Sequence, residues 1–251
     1  MCFRHSYLLL LAILITGCKS ERSTTFESEN FKIIELNDGI YGCIHRLGGK
    51  AICNAGIIDN GKETIIFDTF LSPRVTGELV NMIAQMDLSP VRYVINSHCH
   101  NDHIRGNQVF GENVSIISTS RTKELIEEWE PKDIKYEKEH APARFGHYDS
   151  LYRTFTGDKS SREYQQILMW RPYYEVLMNS YQEVNTRLPD TFVDSVHHLN
   201  GPERQVTLIT YGAGHTDSDL MLYLPDDEIA FTGDIIFNNC HPYLAHGSIE
   251  G

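Results

Sequence analysis

Asn96-Ser97-His98-Cys99-His100-Asn101-Asp102-His103 is the stretch on which the reading of this chain turns. It leaves an apolar, β-branched run, Val91-Arg92-Tyr93-Val94-Ile95, of the kind that forms a buried strand. On a loop past a strand's carboxyl end, His98 and His100 can point the same way and offer two imidazoles to one cation. Asp102 and His103 then turn toward a second position nearby. Nitrogen and carboxylate donors in such a frame suit zinc and related ions. Cys99, between two histidines, is read as a spacer facing away from them, because the local alternation turns it off the metal side.

Outward from this loop the pattern is of short strands broken by turns. Upstream, β character covers 31–36, 40–45, 51–58 and 64–67, and Asn37-Asp38-Gly39 and Asp59-Asn60-Gly61 are hairpin signals between them. A helix follows Pro73, with Val75, Leu79, Val80, Ile83 and Met86 at helical spacing, so the His-rich loop closes a strand–helix–strand unit. Downstream, 114–118 reads as the next strand. From about 121 to 185 the chain becomes charged, aromatic helix, with Trp129, Tyr136, Tyr148, Tyr173 and Tyr174 among its rings. These rings are read as packing in preference to lining a substrate pocket. β character returns at 191–196, 205–211, 220–224 and 228–231. Two strand ends there carry further candidate ligands: Gly212-Ala213-Gly214-His215-Thr216-Asp217-Ser218-Asp219 and Phe231-Thr232-Gly233-Asp234. Glycines around His215 let the backbone approach an ion closely.

The whole chain has 251 residues, 41% hydrophobic and 22% charged, which is enough for one large globular domain. Asp plus Glu total 34 against 22 Lys plus Arg, and no basic stripe stands out, so nucleic acid is not an expected partner. Twelve histidines point instead to metal or acid–base chemistry. The amino terminus, MCFRHSYLLLLAILITGCKS, has an apolar run too short to span a bilayer, and Ile15-Thr16-Gly17-Cys18 resembles the bacterial lipobox. The expectation is a signal peptide over 1–17, lipidation of Cys18, a polar tether over 18–30, and a protein exported to the bacterial cell envelope and anchored to its membrane. Cys43, Cys53, Cys99 and Cys240 fit no disulfide framework, and none is expected to be bridged structurally.

HxHxDH, then GHT, then TGD, in this order and at these strand ends, resembles the metallo-β-lactamase-fold hydrolase superfamily. The resemblance implies an α+β fold, a four-layer αβ/βα sandwich over 31–251, here with a helical insertion at about 121–185 and an incomplete second half. It implies that His98, His100 and His215 hold one metal, that Asp102 and His103 hold a second, and that Asp234 bridges them. Asp68, in Phe67-Asp68-Thr69, would orient the site. Two zinc ions are the expected cofactors, with iron or manganese as alternatives. A final His ligand would lie well beyond the bridging Asp, whereas this chain ends seventeen residues after Asp234, so it is expected to be truncated at its carboxyl end. His241 and His246 are closer to Asp234 than that ligand normally lies. With His103 and Asp234 in place, the site is more similar to the glyoxalase, lactonase and phosphodiesterase type than to a dedicated β-lactamase.

Between two dications, water loses a proton near neutral pH, and the metal-bound hydroxide is aimed at a carbonyl or phosphoryl centre. Asp102 would orient it and help shuttle its proton. The expected function is therefore hydrolysis of a small molecule bearing an ester, lactone, thioester, β-lactam or related bond. The alternatives are a mononuclear iron persulfide dioxygenase and an inactive fragment whose remaining role is binding. Substrate and oligomeric state are not legible at this level.

Overall fold

The computed structural model describes residues 26–238 and 241–248. Its first sheet has seven strands in chain order: β1 (Phe31–Asn37), β2 (Ile40–His45), β3 (Ala55–Asp59), β4 (Thr64–Phe67), β5 (Val91–Ile95), β6 (Ser115–Ser118) and β7 (Thr191–Phe192). β1 to β4 form an antiparallel meander, and Gly39 and Gly61 sit at φ +69° and +86° in its tight turns, where a Cβ would be strained. β4, β5, β6 and β7 then run parallel, which requires crossovers. The first crossover is α1 (Pro73–Ile83), started by proline where its missing N–H costs nothing. A second, antiparallel sheet has the order β11-β10-β9-β8, from β8 (Val196–His198), β9 (Thr207–Gly212), β10 (Asp219–Leu224) and β11 (Ile229–Phe231).

β3 and β4 are buried throughout because the first sheet is covered on both faces. One face packs Ile57, Ile66 and Val94 against Val75, Leu79 and Ile83 of α1. The other packs Ile58, Ile65, Phe67 and Ile95 against Leu208, Leu220, Leu222 and Leu224 of the second sheet. Each such side chain contributes about 1.5–3 kcal/mol on burial. β10 alternates accordingly, with Tyr223 turned outward between buried Leu222 and Leu224.

Two helices occupy most of the charged, aromatic region: α3 (Ser120–Thr154) and α4 (Arg162–Ser180). Thr119 and Ser161 cap them by accepting from the N–H groups of Thr122 and Tyr164. Two smaller cores join them to the body, one around Leu71, Val176 and Leu177, the other around Cys99, Ile104, Leu125 and Ile126. Tyr173 and Tyr174 pack against the first, and Trp129 against the second.

Some sequence expectations are redrawn. The single strand read at 191–196 is two, β7 and β8, one in each sheet, so the chain changes sheets at 193–195. The strand read from 51 begins at Ala55, because Ile52 has φ +73° and the preceding residues form a loop. Residues 26–30, the end of the expected tether, lie on the domain: Ile33 N donates to Phe26 O, and buried Asn30 donates to Glu78. The expected signal peptide, Cys18 and the rest of the tether lie outside the described residues. Cys43, Cys53 and Cys99 are buried free thiols, and no helix among the described residues is long and apolar enough to cross a membrane.

Candidate metal centre

Strand ends from both sheets meet at one place. Asp68 follows β4, and Ser97, His98 and His100 follow β5. Asp102 and His103 lie on the one-turn helix α2 (Asn101–Ile104). His215 sits in the β9–β10 turn, and Asp234 follows β11. The turn at His215 is held by Asp219, whose carboxylate accepts from the Thr216 N–H and hydroxyl. Gly233 lets Asp234 approach: its φ is +54°, and a Cβ there would fall 2.5 Å from Ser97 Cβ.

The geometry brings the candidate ligands into two overlapping groups. His98, His100 and His215 form one, and His98, His103 and Asp234 the other. His98 Nε2 and His215 Nε2 each lie 3.0 Å from His100 Nδ1. Asp234 spans the two groups, with Oδ1 3.5 Å from His103 Nε2 and Oδ2 3.6 Å from His215 Nε2. Asp102 belongs to neither group, but its Oδ2 is 3.7 Å from His103 Nε2. Cys99 packs in the core beside α3 and is not in the cluster.

Asp68 organises the rings from below. Its backbone is in the left-handed region, φ +61°, which Asp tolerates better than most residues. Oδ1 accepts from Ser97 N, and Oδ2 accepts from Ser97 Oγ and from His103 Nδ1, each at 2.8 Å. Since the Ser97 hydroxyl hydrogen goes to Asp68, Ser97 Oγ accepts from His98 Nδ1 at 2.8 Å. One carboxylate thus directs two imidazoles, one directly and one through a hydroxyl, and each turns its Nε2 into the site. His103 Nε2 and His215 Nδ1 are buried with no hydrogen-bond partner among the described residues. Underneath, Thr69 and Asn96 donate to the His103 carbonyl, and Asn96 and Asn107 exchange side-chain hydrogen bonds.

Burial, with the neighbouring rings, holds His98 well below the ordinary histidine range and His100 down to about 3. Burial also lowers His215, so these three rings are neutral at pH 7. Burial likewise works against a charged His103, but Cys53, Asp68, Asp102 and Asp234 together outweigh it and raise that ring. Burial raises the Asp102 carboxyl. Asp234 would be raised by burial too, but His103, His215 and His100 bring it below the usual range. Neutral rings and a carboxylate facing one place are a donor set that suits a cation.

Ser97 and the buried support of the loop were not singled out in the sequence. Arg105, fully buried directly after α2, donates to Glu130 and Glu137 of α3. The spacing of those glutamates, seven residues along one helix face, is a signal only once α3 is known to lie beside the loop. A cleft of about 340 Å³ at the opposite strand ends, lined by Glu63, Arg92, Glu112 and Asp190 among others, contains none of the histidines.

Comparison with known proteins agrees with this geometry. The family model described as the metallo-beta-lactamase superfamily matches residues 48–248. A protein of Bacillus sp. (strain 170) named metallo-beta-lactamase type 2 is 26% identical over 223 residues, covering 80% of this chain and 83% of that one. The solved structure of TMB-1 superposes with a TM-score of 0.55 at 15% identity, covering 88% of this chain and 79% of that one, which is a likeness of fold. Sheets packed face to face, strand-end histidines from both, and the family match over four-fifths of the sequence lead to one statement: the chain belongs to the metallo-beta-lactamase superfamily.

Proposed function

We propose that the cluster is a two-metal centre, most simply of zinc, and that the protein is a hydrolase of a small molecule bearing an ester, lactone, thioester, β-lactam or related bond. The observation that carries this reading is the convergence of His98 Nε2, His100 Nδ1 and His215 Nε2 at 3.0 Å contacts, with the His103 and Asp234 side chains grouped beside His98. Imidazole nitrogens and a carboxylate from strand ends of both sheets, gathered at one buried place, make the donor set that zinc and related ions take. In this reading His98, His100 and His215 would hold one ion and His103 and Asp102 the other, and Asp234, which lies near both groups, would serve both. A bound divalent ion supplies Lewis acidity and lowers the pKa of coordinated water. Asp102, whose side chain is still 23% exposed, would orient the attacking water and accept its proton. Asp68 and Ser97 keep the rings in the tautomers that the ligands require.

The name of the Bacillus relative puts β-lactams among the substrates to test, and the resemblance of the motifs carrying His103 and Asp234 to the glyoxalase, lactonase and phosphodiesterase type puts lactones and thioesters first. The test is metal analysis of the chain from residue 20 onward, followed by hydrolysis assays on a lactone, a thioester and a β-lactam. About two zinc ions per chain and turnover of one substrate class are expected. One iron per chain would move the case to sulfur oxidation, and no metal with no turnover would overturn the proposal. The lipid anchor at Cys18 belongs to the same proposal. It predicts a diacylglycerol-modified amino-terminal peptide by mass spectrometry, absent after Cys18→Ser.

A further inference from the structure

Residues 241–248 lie against two of the three histidines of the first group. His246 Nδ1 is 2.9 Å from His100 Nε2, on the side of the ring away from the cluster. The His246 ring is itself held by aromatic neighbours: Trp129 of α3 at 4.4 Å between centroids and Tyr243 at 5.4 Å. Tyr243 also meets the edge of His100, at 5.9 Å. One residue further on, the chain lies on the turn that carries His215. A Cβ on Gly247 would fall 2.3 Å from Gly214 O and 2.6 Å from His215 O, so only glycine fits, and Ser248 N donates to Gly214 O at 2.9 Å.

The outer nitrogens of the cluster show what this segment does. His98 is oriented by Ser97 and His103 by Asp68, both buried beneath the loop. His100 makes no such contact from below, and the partner of its outer nitrogen is His246. An imidazole without a fixed outer partner can flip about its ring axis or take the other tautomer, and either change removes Nδ1 as a donor. We propose that residues 243–248 form a strap across the first metal position, in which His246 is a positioning residue for His100 and Gly247 seats the strap on the His215 turn. The proposal rests on the reading of the cluster as a metal centre. It adds that the affinity of that centre is set partly by an acceptor outside the ligand set, contributed by a different part of the chain.

Both His246 and Tyr243 are exposed, so substitutions there leave the core untouched. His246→Phe keeps a ring against Trp129 and Tyr243 but cannot accept a hydrogen bond, whereas His246→Asn keeps an acceptor near the Nδ1 position and loses the ring. Zn²⁺ affinity is read by competition with a chromophoric chelator, and the His100 environment by the visible absorption of the Co²⁺-loaded protein. The Phe variant is expected to bind its tightest Zn²⁺ about 10–100-fold more weakly and to shift the Co²⁺ bands, with the Asn variant within roughly threefold of wild type. A change that followed the ring, with Asn as weak as Phe or weaker, would overturn the role of His246, as would equal affinity in wild type and Phe. Both of those results leave the metal reading standing. A wild-type chain that binds neither Zn²⁺ nor Co²⁺ overturns both.

Discussion

Two buried polar clusters flank the one-turn helix α2, and they differ in a single respect. Around Arg105 the charged groups are hydrogen-bonded to one another: Nε donates to Glu130, Nη1 and Nη2 donate to Glu137, and the carboxylates also accept from Thr186 and Asn101. Around His98 the ring nitrogens face one another, and His103 Nε2 has no hydrogen-bond partner among the described residues, only the Asp234 and Asp102 carboxylates at 3.5 and 3.7 Å. The first cluster contains its cation, the guanidinium. The second is arranged as though its cation comes from outside. A saturated cluster anchors the loop to α3, and an unsaturated one beside it is available for chemistry. The contrast also separates stability from binding, since changes in the first should be felt by the fold and changes in the second by the metal.

The largest expected effect tests the saturated side. Arg105→Met leaves Glu130 and Glu137 buried without their countercharge and should cost about 3–5 kcal/mol of unfolding free energy. Urea denaturation measures it, and a loss below about 1 kcal/mol would remove the anchoring role. On the unsaturated side, Zn²⁺ at a hundredfold excess over its dissociation constant should stabilise the wild type by about 2.7 kcal/mol, seen as a raised thermal midpoint. His215→Ala should abolish most of that rise while leaving the metal-free midpoint nearly in place; a large loss in the metal-free protein would dissolve the distinction between the clusters. Asp68→Asn should weaken Zn²⁺ binding about 10–100-fold, or about 1.4–2.8 kcal/mol, because it disturbs two ring tautomers at once. Smallest is Thr186→Val, which removes one hydrogen bond to Glu130 and should cost about 1 kcal/mol of stability with Zn²⁺ affinity unchanged.

What could be read directly was local. His98, His100, Asp102 and His103 lie within six residues at the end of a run whose β-branched character already marks a strand, so their shared location follows from chain geometry. The hairpins at Gly39 and Gly61 were legible for the same reason, since a turn is specified by the residues within it. His215 and Asp234 were legible only through the order of motifs, because nothing local ties a strand end of one sheet to a strand end of the other.

The aromatic helices show where such reading stops. Tyr173 and Tyr174 pack beside Leu71 and Val176, while Trp129 packs both on the core beneath α3 and on His246. Helical spacing alone could not separate these roles, since the side of a helix that meets the loop is decided by what lies across from it.

The sequence by itself determined the donor chemistry: histidines and carboxylates at strand ends, in numbers and spacing that suit a cation. Only the tertiary structure decided which nitrogens face inward, that Ser97 relays Asp68 to His98, and that Arg105 finds Glu130 and Glu137 25 and 32 residues away. The reason is physical. A residue's chemistry is its own, whereas its tautomer, charge and partners are set by whatever the packing of distant segments brings within about 3 Å of it.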